Sequence, residues 1–218
     1  MIEAILWDHD GVLADTEPWF YEATRRTLAE HGIEIAEDDW VRAQADGRHL
    51  EQIVPPDVVE SLDFRVIRRL RDELYGEFLR TEHVTVDGAV EMVRSLSARF
   101  RMALVTNSRR RFVDALHGGG TLLSCFETVV TAEDCRRGKP DPDPYVTALE
   151  RLGVPPTAAV CIEDSGQGLR SATAAGVRCI IVRNAFMASH DVEGAWVVLD
   201  SVAELPGLLQ GDPGGMHG

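Results

Sequence analysis

The chain has 218 residues, 44% of them hydrophobic, which is enough for one sizeable core or for a core with a small satellite. A formal net charge of -14 argues against nucleic acid and anionic membranes as partners, so an anionic substrate needs a local positive pocket. No apolar run approaches a membrane span, and Met1-Ile2-Glu3 lacks the basic and apolar regions of an export signal, so a cytoplasmic location is expected. The cysteines Cys125, Cys135, Cys161 and Cys179 form no CxxC pair. They are read as small buried hydrophobes, with neither zinc nor a disulfide expected.

The first element is Ile2 to Leu6, a short apolar run expected to be a buried strand. Trp7-Asp8-His9-Asp10-Gly11-Val12-Leu13-Ala14-Asp15 follows, and Gly11 lets the chain turn sharply there. Asp8 and Asp10 then lie at the carboxyl end of the first strand, where open α/β sheets place their ligands. Carboxylates this close repel unless a proton or a cation intervenes, and a hard dication such as Mg²⁺ suits oxygen ligands. The alternative is a turn whose aspartates bond only to local backbone.

Residues 17–82 contain no convincing strand. They are predicted as helices from Pro18 to His31, from about Asp38 to Ala45, and from Val58 to about Leu79. The last carries an apolar stripe of Phe64, Ile67, Leu70, Leu74 and Phe78, read as packing. Inserted directly after the first strand, this block would hang over the strand ends as a lid. The chain returns near Glu82-His83-Val84-Thr85-Val86.

Beyond it, strand-like runs at 101–106, 126–130, 159–162, 177–182 and 195–199 alternate with helical spacing at 88–98, 109–117, 142–152, 166–175 and 201–210. Such alternation predicts an α/β fold, a parallel sheet with helices on both faces. The tail 211–218 has almost nothing to bury and is expected to be disordered.

Four of these strands end in polar residues. Val105-Thr106-Asn107-Ser108 offers hydroxyls and backbone N–H groups at a helix start, which suit an anion; Ser108 is equally a helix cap. Arg109-Arg110-Arg111 is either a solvated face or a source of positive field. In Gly138-Lys139-Pro140-Asp141, Pro140 holds Lys139 extended, where it can neutralise a phosphoryl oxygen and a carboxylate; the alternative is a surface lysine. Ile162-Glu163-Asp164-Ser165-Gly166-Gln167-Gly168 is either a second carboxylate group for a metal or an acidic helix start.

In this order these segments resemble the motifs of the haloacid dehalogenase-like superfamily, in its phosphatase and β-phosphoglucomutase-like branch with a helical cap. The matches are Asp8 to Asp15 with DxDGxLxD, Thr106 with Asn107, Lys139-Pro140, and Glu163-Asp164-Ser165-x-x-Gly168. The resemblance covers the chain to about residue 210. It implies a Rossmann-like core of residues 1–16 and 83–210, with an inserted α-helical cap at 17–82.

It also implies a Mg²⁺-dependent phosphatase acting on a small phosphorylated metabolite, such as a sugar phosphate. Asp8 would be the nucleophile that becomes an aspartyl phosphate, and Asp10 the acid and base. Dehalogenases lack the second aspartate, which favours phosphoryl transfer. The metal would lie among Asp8, the Asp10 backbone carbonyl and Asp164, with Glu163 acting through water or from behind. Thr106, the Asn107 N–H and Lys139 would neutralise the phosphoryl oxygens, with Ser108 and Arg109 as further anion-binding candidates. Asp15 and Thr16 would organise the hinge.

In the cap, Asp46-Gly47-Arg48-His49 resembles the family's specificity loop, so Gly47, Arg48 and His49 are substrate-contact candidates. Of Trp19, Phe20 and Tyr21, two are expected to pack and one, taken as Trp19, to meet substrate. The alternative enzyme is a phosphosugar mutase. Phe20 where mutases carry a histidine, and the shifted register of Arg48, weigh against it. A phosphorylatable receiver or silent binding protein is the alternative of another class; the cap disfavours a receiver, and the intact acids disfavour a silent protein. His9 is left open between packing and the cleft. The expected state is a monomer or weak dimer without nucleic-acid or membrane partners.

Overall fold

The structure, a computed structural model, describes residues 1–184 and 191–210. The tail at 211–218 lies outside the described residues. Six strands, β1 (Ala4–Trp7), β2 (Arg101–Val105), β3 (Thr128–Val130), β4 (Ala159–Glu163), β5 (Arg178–Val182) and β6 (Val197–Leu199), form one sheet ordered β3-β2-β1-β4-β5-β6. Every neighbouring pair is parallel, with Trp7 opposite Leu104 on one side and Ile162 on the other. The chain enters in the middle, winds out through β2 and β3, then crosses to β4. The crevice where the winding reverses therefore lies between β1 and β4.

Strand periodicity divides the buried residues between two faces. Ile5, Trp7, Met102, Leu104, Val160 and Ile162 pack on one face with Val93 and Leu96 of α5 (Ala89–Ser97) and Val113 of α6 (Arg110–His117). Ala4, Leu6, Ala103, Val105 and Cys161 pack on the other with Tyr145 and Leu149 of α7 (Asp143–Leu152) and Leu169 of α8 (Gly166–Ala174). Strands covered on both faces explain why their sequences are nearly all apolar. Burial, expected of all four cysteines, is complete for Cys161 and Cys179, whereas Cys125 and Cys135 are half-buried; all four are free thiols.

Between β1 and α5 lie α1 (Glu17–Ala29), α2 (Glu37–Ala45), α3 (Pro56–Val59) and α4 (Phe64–Thr81). They share a small core built from Leu28, Ile33, Ile35, Trp40, Leu50, Val54 and Ile67. The predicted helix from Val58 to Leu79 is divided into α3 and α4. Asp63 causes the break, because its carboxylate accepts the Arg65 N–H at 3.0 Å and caps α4. The buried face of α4 is Ile67, Tyr75, Phe78 and Leu79, rotated from the predicted stripe, with Leu70 and Leu74 only half-buried. The predicted helix at 201–210 begins as a 3-10 turn, Val202–Glu204, before α9 (Leu205–Gln210).

The chain leaves and re-enters the sheet region by two adjacent segments. Asp15 N–H donates to the Val84 carbonyl at 2.7 Å and Val86 N–H to the Leu13 carbonyl at 3.0 Å. Tyr75, Phe78, Leu79 and Val84 then pack with Phe112 of α6, its ring 4.9 Å from that of Tyr75.

Removing the α4 cap with Asp63→Ala should cost about 1 kcal/mol of stability in urea unfolding. An unchanged midpoint would mean that another group fixes the start of α4.

Candidate active site

The loops after β1, β2 and β4 converge on one ammonium group. Lys139 Nζ donates to Asp8 Oδ1 at 2.7 Å, to Glu163 Oε1 at 2.7 Å and to the Val105 carbonyl at 2.8 Å. Its three N–H bonds are thereby used. The backbone of Lys139 is held by one side chain: its N–H donates to Asn107 Oδ1 at 2.8 Å, and Asn107 Nδ2 donates to its carbonyl at 3.1 Å. The following bond to Pro140 is cis.

Glu163 has no exposed surface. Its Oε1 also accepts the Tyr145 hydroxyl at 2.7 Å, and its Oε2 accepts the Ser165 hydroxyl at 3.1 Å and the Asp164 and Ser165 N–H groups at 3.2 and 3.3 Å. Gly168 makes room for it: a Cβ at that position would fall 1.8 Å from the Glu163 carboxyl carbon. Asp164 Oδ2 accepts from Asn184 at 2.8 Å. It also occupies space that only a glycine at position 11, with φ +79°, leaves open.

Asp8, Glu163 and Asp164 bring ligand oxygens within 4.8 Å of one another. Three carboxylates against one lysine leave two negative charges unmatched. Burial, followed by the neighbouring Glu163, pushes Asp8 up to about 8 despite Lys139. Burial, with Asp8 and Glu163 beside it, raises Asp164 far above the carboxylate range. For Lys139, burial opposes the charge, but Asp8 and Glu163 outweigh it and hold the amine protonated. An all-oxygen donor set with this charge fits a hard divalent cation.

Asp10 has different company. Its Oδ1 accepts the Thr16 hydroxyl at 2.7 Å and faces His9 Nδ1 at 3.1 Å; its Oδ2 accepts the Thr106 and Ser108 hydroxyls at 2.9 and 2.8 Å. Burial opposes ionisation, but His9, Thr16 and Ser108 more than offset it and hold Asp10 well below the usual range. Behind it, His9 Nε2 meets His117 Nε2 at 2.9 Å. Burial, then His9, lowers His117 to about 4.

A cavity of about 320 Å³ joins Asp8, Asp10, Asn107, Ser108, Arg109, Lys139 and Asp164 to Glu17, Phe20, Gln44, Arg71, Asp72 and Tyr75 of the inserted helices. Asp72, 5% exposed, accepts from Arg71 at 2.7 Å on its own helix, and from Arg109 at 3.1 Å and Arg111 at 2.5 Å of the sheet domain. Gln167 donates to the Gln44 carbonyl at 3.0 Å. Among the described residues, Glu17 Oε2 is buried without a hydrogen-bond partner, and burial, with Asp10 and Asp15 nearby, pushes that acid up to about 7.

Of the predicted site residues, Asp8, Asn107 and Glu163 bond to Lys139 with Asp164 beside them, Thr106 and Ser108 bond to Asp10, and Arg109 pairs with Asp72; those in the cap lie elsewhere. Gly47 lies against Gln167. Arg48 donates to the Gln52 carbonyl, and His49 N–H to the Gln52 side chain. Trp19 packs on Phe78, with ring centroids 5.4 Å apart. None of these four lines the cavity; Gln44 and Phe20 do. Arg71, Asp72, Tyr145 and His117 were missed by the sequence reading. Only Asp72 carried a signal, since it is an acid three and seven residues before the buried Tyr75 and Leu79 on one helix.

The haloacid dehalogenase-like hydrolase family model matches residues 5–182. The chain is 33% identical over 185 residues to a phosphorylated carbohydrates phosphatase of Thermotoga maritima, covering 82% of this chain and 84% of that protein. It is 31% identical to validoxylamine A 7'-phosphate phosphatase of Streptomyces hygroscopicus subsp. limoneus, covering 94% and 96%. The crystal structure of CbbY from Rhodobacter sphaeroides in complex with phosphate superposes with a TM-score of 0.80 at 29% identity, covering 94% of this chain and 96% of that one.

In Gly168→Ala, the added methyl must displace Glu163 and with it the anchor of Lys139. Phosphate release should fall about tenfold or more and the melting temperature should drop. Unchanged values for both would mean that Glu163 does not hold Lys139 in place.

Proposed function

The chain belongs to the haloacid dehalogenase-like hydrolase family and is a phosphatase of that family, and from this we propose that it is a Mg²⁺-dependent phosphatase of small sugar phosphates and related phosphomonoesters, acting through a phosphorylated Asp8. The observation that carries this reading is the bridge from Asp8 through Lys139 to Glu163, with Asp164 within ligand distance. In this reading residues 1–16 and 83–210 form the catalytic core, and 17–82 form a cap that covers it.

Asp8 and Asp164, with the Asp10 carbonyl, would hold Mg²⁺, and Glu163 would act from behind through Lys139. The ion supplies positive charge that keeps Asp8 ionised and offsets the phosphoryl oxygens. A carboxylate oxygen of Asp8 forms the new bond to phosphorus as the bond to the leaving oxygen breaks. The substrate's phosphate brings the proton, which Asp10, ionised in the free site, takes up and passes to the leaving oxygen. Water then attacks phosphorus, its proton passes to Asp10, and the bond to Asp8 breaks. The cycle returns the proton it used.

Lys139, Thr106, Ser108 and the Asn107 N–H face the charge that spreads over the transferred group. Arg71 and Arg109 supply the positive field that a chain of net charge -14 otherwise lacks. The unpaired Glu17 oxygen suits a substrate hydroxyl, as a sugar offers. Phe20, between Trp40 and Tyr75 with Arg71 over its ring, has no proton to give where a mutase carries histidine, and this favours hydrolysis.

In a panel of sugar and nucleotide monophosphates with Mg²⁺, the sugar phosphates should release phosphate fastest, and Asp8→Asn should lower the rate at least about a thousandfold. Undiminished turnover by Asp8→Asn would refute the nucleophile assignment.

Without metal, Asp8 stands near 8 in the folded protein against 3.8 for an ordinary aspartate. The folded state therefore binds more protons than the unfolded chain. The stability that Asp8 contributes is full below the lower value and is lost as pH rises through the upper one. In chelator, the melting temperature should fall as pH rises from 5 to 8.5, by about a few degrees on the usual scale. Saturating Mg²⁺ should abolish most of that fall, because the ion replaces the proton. Identical pH profiles with and without Mg²⁺ would argue against a metal at this cluster.

A further inference from the structure

Two buried histidines have no part in the chemistry above. His9, 1% exposed, leads from Asp10 to His117, 7% exposed, in the last turn of α6. The 2.9 Å contact between their Nε2 atoms requires one hydrogen between them. Either His117 donates to a neutral His9, whose own hydrogen is then on Nδ1, or a doubly protonated His9 donates to His117. While Asp10 is ionised, a neutral His9 with its hydrogen on Nε2 alone would aim a bare Nδ1 lone pair at its carboxylate. Both allowed arrangements put a hydrogen on Nδ1, directed at Asp10 Oδ1 3.1 Å away.

The two oxygens of Asp10 therefore differ. Among the described residues, Oδ1 accepts this ring N–H and the Thr16 hydroxyl, whereas Oδ2 accepts the hydroxyls of Thr106 and Ser108. A hydroxyl can turn and become an acceptor, but a ring N–H held by a second histidine cannot. We propose that His9, with its tautomer fixed by His117, is a positioning residue that keeps Asp10 Oδ1 a permanent acceptor and directs the exchangeable proton to Oδ2. That oxygen lies beside Thr106 and Ser108, the residues that start the phosphoryl-binding loop. This inference rests on the acid–base role of Asp10 proposed above.

Ring ¹⁵N NMR of histidine-labelled protein, with His9 assigned by loss of its signals in His9→Asn, tests the tautomer without any activity measurement. His9 Nδ1 should carry a hydrogen; a bare Nδ1 overturns the inference. In steady-state kinetics, His9→Leu should lower kcat by about tenfold or more with KM within about twofold. His9→Asn, whose side-chain N–H sits near the lost Nδ1–H, should recover kcat to within about threefold of the parent protein. A His9→Leu protein with unchanged kcat, or a fall that His9→Asn does not rescue, also overturns it. If Asp10→Asn itself turns over normally, the acid–base reading of Asp10 fails. If Asp10→Asn is inactive and His9→Leu is not, only the present inference fails.

Discussion

A buried ammonium cannot remain charged without anionic partners, and Lys139 has two. Asp8 directly follows β1, Glu163 ends β4, and the Val105 carbonyl that completes the set ends β2. One cation therefore ties together three neighbouring strand ends. Breaking such a buried pair from one side costs about 3–5 kcal/mol, because the remaining charge is stranded. The same demand accounts for the Asn107 clamp on the Lys139 backbone, the Tyr145 hydroxyl on Glu163, and a glycine at 168.

Two aspartates separated by a single residue have opposite fates. Asp8 points into the acidic cluster and is pushed up to about 8, whereas Asp10 points to three hydroxyls and an imidazole and is held well below the normal range. Groups whose surroundings drive their protonation apart can divide chemical roles between them. A residue that prefers a cation at its carboxylate suits a metal-assisted nucleophile. One among hydrogen-bond donors that can turn suits proton exchange.

The sheet was legible because strands covered on both faces must be apolar throughout, as in Ala159-Val160-Cys161-Ile162. The motif residues at positions 8, 106, 163 and 164 were legible because they lie at the ends of such runs, whereas Lys139, read from the sequence as another strand end, lies nine residues beyond β3, in the loop before α7. What lay outside that logic was set by tertiary packing. Asp63 divides α3 from α4 through a local cap that an apolar stripe does not reveal. Phe20 rather than Trp19 lines the cavity because the two differ by one step, about 100°, around the same helix. Asp72 pairs with Arg109 and Arg111, 37 and 39 residues away, and His9 with His117, 108 residues away. No spacing rule reaches that far.

The site described here stands or falls on phosphoryl transfer to the carboxylate that Lys139 holds. Rapid acid quench during turnover of a sugar phosphate, followed by peptide mapping by mass spectrometry, tests this most directly. A phosphoryl group should appear on the fragment containing Asp8 and lie on Asp8 itself. A phosphoryl group on any other residue would contradict it, as would quenched turnover in which no fragment carries one.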